Sequence, residues 1–176
     1  MRTLLLRSLF SRAVTTGRPS VEDEALAELG KALEKRARKL FGRSITIREV
    51  DAGSCNGCEL EIHALNNAVY DVERFGIKFA ASPRHADVLL VTRPVTHNMK
   101  VALERTYAAT PDPKWVVAVG DCASGCGVFA QSYATVGDLA KVLPVDLAIK
   151  GCPPRPVDLL KGLIALMDKA TASSKR

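Results

Sequence analysis

Apolar residues at Leu26, Leu29, Leu33, Ala37 and Leu40, with charged residues between them, predict an amphipathic helix over Ala25–Phe41 that closes near Gly42. Ser20 with Asp23 or Glu24 marks its start, after a linker at Gly17–Ser20. Beyond Gly42 the rhythm changes to short β-rich runs that alternate with helical ones. The runs SITIREV, IKFAAS, ADVLLVT, KWVVAVG and PVDLAIKG read as strands, and ADVLLVT and KWVVAVG are apolar enough to be buried on both faces. Helices are predicted over Glu59–Phe75, with Leu60, His63, Ala64, Asn67 and Tyr70 along one side, over Val95–Thr110 until PDP stops it, and over Pro156–Ala170. Strands alternating with helices give an α/β domain with a mostly parallel sheet. The expected organisation is an N-terminal extension with amphipathic helices at 1–43, an α/β domain at 44–170 and a disordered tail at 171–176.

One local pattern recurs within that frame. Three strands each run out into a glycine and then a cysteine: REVDAGSC reaches Cys55, VVAVGDC reaches Cys122 and LAIKGC reaches Cys152, while Cys58 shares the first loop with Cys55. In an open parallel sheet the carboxyl ends of the strands form the crevice where ligands bind. The pattern therefore delivers thiols from three loops to one edge.

Composition narrows the chemistry. A chain of 176 residues, 47% hydrophobic and 25% charged, fits one globular domain with a modest extension. Five cysteines without a secretory signal argue for metal or redox chemistry in a reducing compartment, not for a disulfide scaffold. The net charge of +6 is concentrated in the first stretch and in KALEKRARKLFGR, without the interleaved aromatics of a nucleic-acid groove. An acidic partner subunit or anionic headgroups fit that surface better. No segment approaches the roughly 20 apolar residues of a membrane span. The stretch MRTLLLRSLFSRAVTTGR has three readings: a frayed tail, an amphipathic anchor to a membrane or partner, or a transit peptide.

Four thiolates converging from three loops suit a 4Fe-4S cluster or a closed zinc site. Glycine beside the cysteines lets the backbone approach a bulky group and is expected to leave amide N–H groups free for its sulfides. Pro153 and Pro154 stiffen the last loop. Zinc is disfavoured because Cys122 and Cys152 lie a whole strand apart, whereas structural zinc usually takes two compact pairs. A Cys55–Cys58 redox disulfide leaves Cys122 and Cys152 unexplained, and inert buried cysteines leave the shared glycine turns unexplained. Cys126, four residues behind Cys122, could exchange with it as a ligand or fill the loop as a small residue, and the second reading is favoured because Cys122 sits directly off its strand.

The segments GSCNGCELEI, YDVERFGIKFAASPRHADVLLVT, WVVAVGDCA and GCPPRP together resemble the small subunit of membrane-bound group 4 nickel-iron hydrogenases of the formate hydrogenlyase type. That subunit is homologous to the 20 kDa, B-type subunit of proton-pumping NADH:quinone oxidoreductase. The resemblance covers roughly Ile45 to Met167. The two-residue gap between Cys55 and Cys58 is similar to the hydrogenase branch, since the quinone reductase subunit characteristically has adjacent cysteines there. The resemblance implies a flavodoxin-like fold with Cys55, Cys58, Cys122 and Cys152 holding one 4Fe-4S cluster next to a hydrogenase active site. It also implies a large catalytic subunit, a polyferredoxin-type subunit and integral membrane subunits as partners, on the cytoplasmic side of the membrane as a peripheral part of the complex. The alternatives are a quinone-reducing complex, a related complex whose large subunit has lost nickel and, in a different class, a zinc-stabilised interaction module. Cys126 and Arg93 depart from the family pattern.

No phosphate loop, no GxGxxG opening a helix after the first strand and no nucleophile triad is present, so electron relay, and not catalysis by this chain alone, is the expected task. Among the remaining polar residues, Glu59 is read as favouring its helix dipole, with a proton or electrostatic role near the cluster as the alternative. His63 is read as a core histidine, Arg74 as pairing with Asp71 or Glu73 or meeting the large subunit, Arg84 and Arg155 as bracing loops or serving the cluster, and His85 and His97 as surface or interface residues.

Overall fold

The computed structural model describes residues 22–173 apart from Ser54, Arg93, Cys126 and Ala130. The readings of the basic first stretch, of Arg93, of Cys126 and of 174–176 lie outside the described residues. Helix α1 spans Glu22–Phe41 and ends where Gly42, at φ 66°, donates its N–H to the Arg38 carbonyl at 2.9 Å. Strands β1 (Ile45–Asp51), β2 (Ile77–Phe79), β3 (Val88–Thr92), β5 (Trp115–Val119) and β7 (Leu147–Ile149) form one parallel sheet in the order β2-β1-β3-β5-β7. Helix α2 spans Gly57–Ala64, α3 spans His97–Ala109 and α4 spans Pro156–Ser173. A two-stranded antiparallel pair, β4 (Val95–Thr96) with β6 (Thr135–Gly137), completes the chain. Among the described residues, no helix is long and apolar enough to cross a membrane.

The apolar runs explain this layering. Along β3, Val88 and Leu90 enter one core while Leu89 and Val91 enter the other, and along β5 Val117 and Val119 oppose Val116 and Ala118 in the same way. The first core is covered by α1 and α4 through Leu26, Leu33, Leu159 and Leu163. The second is covered by α3 through Leu103 and by the 3-10 turn after β6 and the residues beyond it through Leu139 and Leu143. Each fully buried aliphatic side chain contributes about 1.5–3 kcal/mol, so both faces of the sheet hold the domain together. The parallel strands alone run in the flavodoxin-like order, as expected.

The segment Glu59–Phe75 departs from the single helix its pattern predicts. Helix α2 stops at Ala64 because the Asn67 side-chain oxygen accepts the N–H groups of Val69 and Tyr70 at 2.9 and 3.0 Å, a local turn that competes with helix continuation. Asp71 then takes a left-handed conformation at φ 40°, and only the 3-10 turn Val72–Phe75 follows. The buried side of α2 also differs: Cys58, Glu59 and Ile62 face inward, while Leu60 is 62% exposed and His63 is exposed. At the other end, α4 continues through Ser173, past the expected stop at Ala170.

The link from α1 into the sheet is fixed at Asp87, which is buried just before β3. Its carboxylate accepts from Arg43 at 2.6 and 3.0 Å and from the Thr46 N–H at 2.9 Å. Asp87→Ala leaves the Thr46 N–H unpaired and should lower unfolding free energy by about 2–3 kcal/mol, read as a lower denaturant midpoint at unchanged m-value.

Candidate electron-transfer site

The carboxyl edge of the sheet gathers the cysteines. Strand β1 ends in a turn where Asp51 Oδ1 accepts the Gly53 N–H at 2.8 Å, and Asn56 at φ 65° turns the chain into α2. This leaves Cys55 exposed on the turn and Cys58, 5% exposed, in the first turn of α2, packed into the first core. Cys122 follows β5 and is 6% exposed. Cys152 follows β7 and is exposed, with a cis bond to Pro153.

Backbone hydrogen bonds hold the second and third loops side by side. Gly120 N–H donates to the Ile149 carbonyl at 2.8 Å, Asp121 N–H donates to the Gly151 carbonyl at 2.9 Å, and Gly151 N–H donates to Asp121 Oδ1 at 2.9 Å. The glycine amides expected to be free are therefore committed to bracing the loops. The room the glycines leave is nonetheless needed. A Cβ at Gly120, itself at φ 86°, would stand 2.8 Å from Cys58 Sγ, and a Cβ at Gly127 would come within 2.7 Å of Cys122 Cα. Gly151, at φ 138°, would strike Pro154 Cα at 2.6 Å.

Electrostatics tie the thiols to one another. Burial first, then the charges of Glu59, Cys122, Cys152 and Asp121, push the Cys58 thiol up to about 12. Cys55 is not among these groups, and among the described residues no three His, Cys, Asp or Glu side chains stand close enough together to hold a metal ion. The structure thus places Cys122 and Cys152 near enough for their charges to act on the Cys58 thiol, with Cys55 exposed on the adjoining turn. The donor set fits a bulky sulfur-ligated group: the Cys58 and Cys122 thiols lie against Gly120 and Gly127, where no Cβ fills the space.

Comparison with known proteins then fixes the relationship. The family model described as NADH ubiquinone oxidoreductase, 20 Kd subunit, matches residues 55–166, more than half of the chain. The chain belongs to that 20 kDa subunit family. Within and around this family it is 47% identical over 142 residues to a probable membrane-bound hydrogenase subunit mbhJ of Pyrococcus furiosus, covering 79% of this chain and 85% of that protein. It is 42% identical over 144 residues to formate hydrogenlyase subunit 7 of Escherichia coli, covering 82% of this chain and 55% of that longer protein. A 20 kDa-type relative, the B-type subunit of the NADH-quinone oxidoreductase of Citrifermentans bemidjiense, is 47% identical over 112 residues, covering 64% of this chain and 65% of that protein. Among solved structures, a chain of the membrane-bound sulfane sulfur reductase, an archaeal respiratory membrane complex, superposes with TM-score 0.66 at 37% identity, covering 80% of this chain and 76% of that chain. As a member of the 20 kDa family, the chain is a subunit of an oxidoreductase complex, and the family implies an iron-sulfur cluster.

The other polar residues sort themselves in the same geometry. Arg155 braces its loop by pairing with Asp158 at 2.9 Å, and Arg74 lies 4.0 Å from Asp71 and over the Phe75 ring. Arg84, His85 and His97 are not buried. Glu59 stands in the first turn of α2, the position read as favouring the helix dipole; it is 5% exposed, and neither carboxylate oxygen has a hydrogen-bond partner. Its signal is tertiary, because nothing in the local sequence distinguishes a buried acid from an exposed one in a first helical turn.

The raised Cys58 thiol sets a pH dependence for the metal-free chain. Its folded value lies above the ordinary 9.0, so stability is intact below pH 9.0 and falls as pH rises toward about 12, where only the unfolded chain has already released the proton. Alkylation at pH ~8 should modify the exposed Cys55 and Cys152 at least about a hundredfold faster than Cys58, checked by mass spectrometry of labelled peptides.

Proposed function

We propose that this chain is the electron-relay subunit of a membrane-bound hydrogenase-type complex, holding one 4Fe-4S cluster through Cys55, Cys58, Cys122 and Cys152. The observation that carries the reading is that Cys122 and Cys152, on loops braced against each other at one sheet edge, both act on the buried Cys58 thiol, with Cys55 on the turn before it. A cluster held there supplies one-electron exchange at a potential set by its surroundings. The chain's own contribution is to hold four thiolates, exclude water from two of them and keep the loops still, so that little of the protein reorganises when charge arrives.

The two-residue gap between Cys55 and Cys58, together with the identities to the hydrogenase subunits of Pyrococcus furiosus and Escherichia coli, supports the hydrogenase branch. Quinone reduction is the second reading, supported by the matched family and by the NADH-quinone oxidoreductase relative. In either case the reacting centre belongs to a large catalytic partner, and a polyferredoxin-type subunit and integral membrane subunits complete an assembly on the cytoplasmic face. Exposed apolar residues beside the edge, Leu60 on α2 and Val128 and Tyr133 in the loop after Cys122, give such a partner a surface to cover.

Anaerobically purified complex should contain about four irons and four sulfides for this subunit and give a reduced-cluster EPR signal. Cys55→Ala, Cys58→Ala, Cys122→Ala and Cys152→Ala should each abolish the intact cluster signal, and Cys126→Ala should keep it. Stoichiometric zinc without iron would sink the assignment, and a full cluster in Cys122→Ala would move that ligand role to Cys126. Nickel in the purified complex supports hydrogen chemistry, and a nickel-free complex that reduces quinone supports the second reading.

A further inference from the structure

Helix α1 is divided by charge. Apart from Glu34, its acids lie in the first half, up to Glu28, and all of its cations lie in the second, from Lys31 on. Lys31, Lys35 and Lys39 recur every fourth residue, so they share one face, about 200° round the helix from the buried Leu33 and Ala37. All three are exposed, and none has a side-chain hydrogen bond or ion pair among the described residues. Arg36, by contrast, is committed to Asp168 on α4 at 2.7 Å.

The stripe leads to the amino end of the sheet. There α1 gives way to β1, and the 3-10 turn Val72–Phe75 gives way to β2, the two joined by the Ile45 N–H donating to the Gly76 carbonyl at 2.9 Å. Arg38, Arg43 and Arg74 gather around a cavity of about 470 Å³ at this junction, each with its side chain half exposed or more. Arg43 is held by Asp87, but Arg38 has one partner, Glu34 at 2.9 Å, and Arg74 only Asp71 at 4.0 Å, so most of their guanidinium donors are unspent. These six cations, set against the four acids Glu34, Asp71, Glu73 and the buried Asp87, leave the face with a net charge of +2.

What covers this face follows from what it lacks. A protein–protein interface is anchored at its centre by aromatic and apolar side chains and is depleted in lysine. Among the described residues the exposed large apolar side chains lie elsewhere: Leu60, Val128, Phe129 and Tyr133 beside the cysteine edge, Val101 on α3 and Val69 against the first half of α1. Hydrated ammonium groups without an apolar centre match a layer of anionic headgroups, and guanidinium forks match its phosphates.

We propose that this face, the lysine stripe of α1 together with the arginine-lined cavity at the amino end of the sheet, docks on anionic phospholipid headgroups, whose phosphates Arg38 and Arg74 receive. The proposal shares with the proposed function the premise of a membrane-bound assembly and does not depend on a cluster. The cysteines leave the opposite ends of the same strands, so docking here keeps their edge clear of the lipid.

Flotation of the full chain with phosphatidylcholine vesicles, with and without about 25% phosphatidylglycerol, tests the contact. Wild-type protein should bind the anionic vesicles and not the neutral ones, and should be released between about 0.1 and 0.5 M salt. The triple variant Lys31→Gln, Lys35→Gln, Lys39→Gln should bind about a hundredfold more weakly, and the double variant Arg38→Gln, Arg74→Gln about thirtyfold. A control that removes the same charge elsewhere, Lys100→Gln, Arg105→Gln, Lys161→Gln, should stay within about threefold of wild type. The basic first stretch is intact in all of these, so full binding by the lysine variant assigns the contact to that stretch and overturns the proposal. Equal loss in the control, equal binding to neutral vesicles, or no vesicle binding, whether or not polyglutamate or duplex DNA binds instead, also overturns it. Where a variant does not fold, acetylation of the wild type decides: anionic vesicles should slow labelling of Lys31, Lys35 and Lys39 and spare Lys161, read by mass spectrometry, and uniform labelling rates overturn the proposal. Iron-free protein that docks in this way counts against the electron-relay reading alone, and iron-loaded complex that does not dock counts against this face alone.

Discussion

The site depends on a hydrogen-bond ladder that continues after the strands have ended. Strands β5 and β7 stop pairing as regular structure at Val119 and Ile149, but Gly120, Asp121 and Gly151 carry the exchange of backbone and side-chain bonds one step further. Two loops that would otherwise diverge are held in register, and Cys122 and Cys152 emerge next to each other. Positive φ angles at Gly120 and Gly151 let the chain turn away immediately beyond the last bond. The parallel sheet, buried on both faces, serves as the rigid mount for this edge.

The same edge is compatible with several overall reactions. The relatives are named for hydrogen, formate hydrogenlyase and quinone chemistry, and the solved neighbour for sulfane sulfur reduction. The edge's distinctive local property is electrostatic: acids, and not cations, lie nearest the buried thiol at Cys58. Negative neighbours hold a site's potential down.

Much of this architecture was legible in the sequence because burial on both faces leaves an unambiguous mark. The strands β3 and β5 are continuous apolar runs, and the amphipathic rhythm of α1 names its buried residues Leu26, Leu33 and Ala37. The cysteine edge was legible for a different reason, since a strand, a glycine and a cysteine recur three times. Where side-chain hydrogen bonding or tertiary packing decides, the pattern misled. Asn67 ends α2 early through its own oxygen, and the helix turns Leu60 and His63 outward in place of Cys58 and Glu59. The β4–β6 pair is too short to leave a period, and the burial of Glu59 depends on what packs over it.

The strand order also governs when this edge comes into being during synthesis. Cys55 and Cys58 emerge from the ribosome early, but Cys152 lies beyond β7, the last strand of the sheet, and β7 has no place to pair until β5 is already seated. At about 5–20 residues per second the first two thiols wait several seconds in an unfinished domain. Nascent chains therefore carry these two thiols exposed to oxidation and stray metals until β7 and Cys152 have followed.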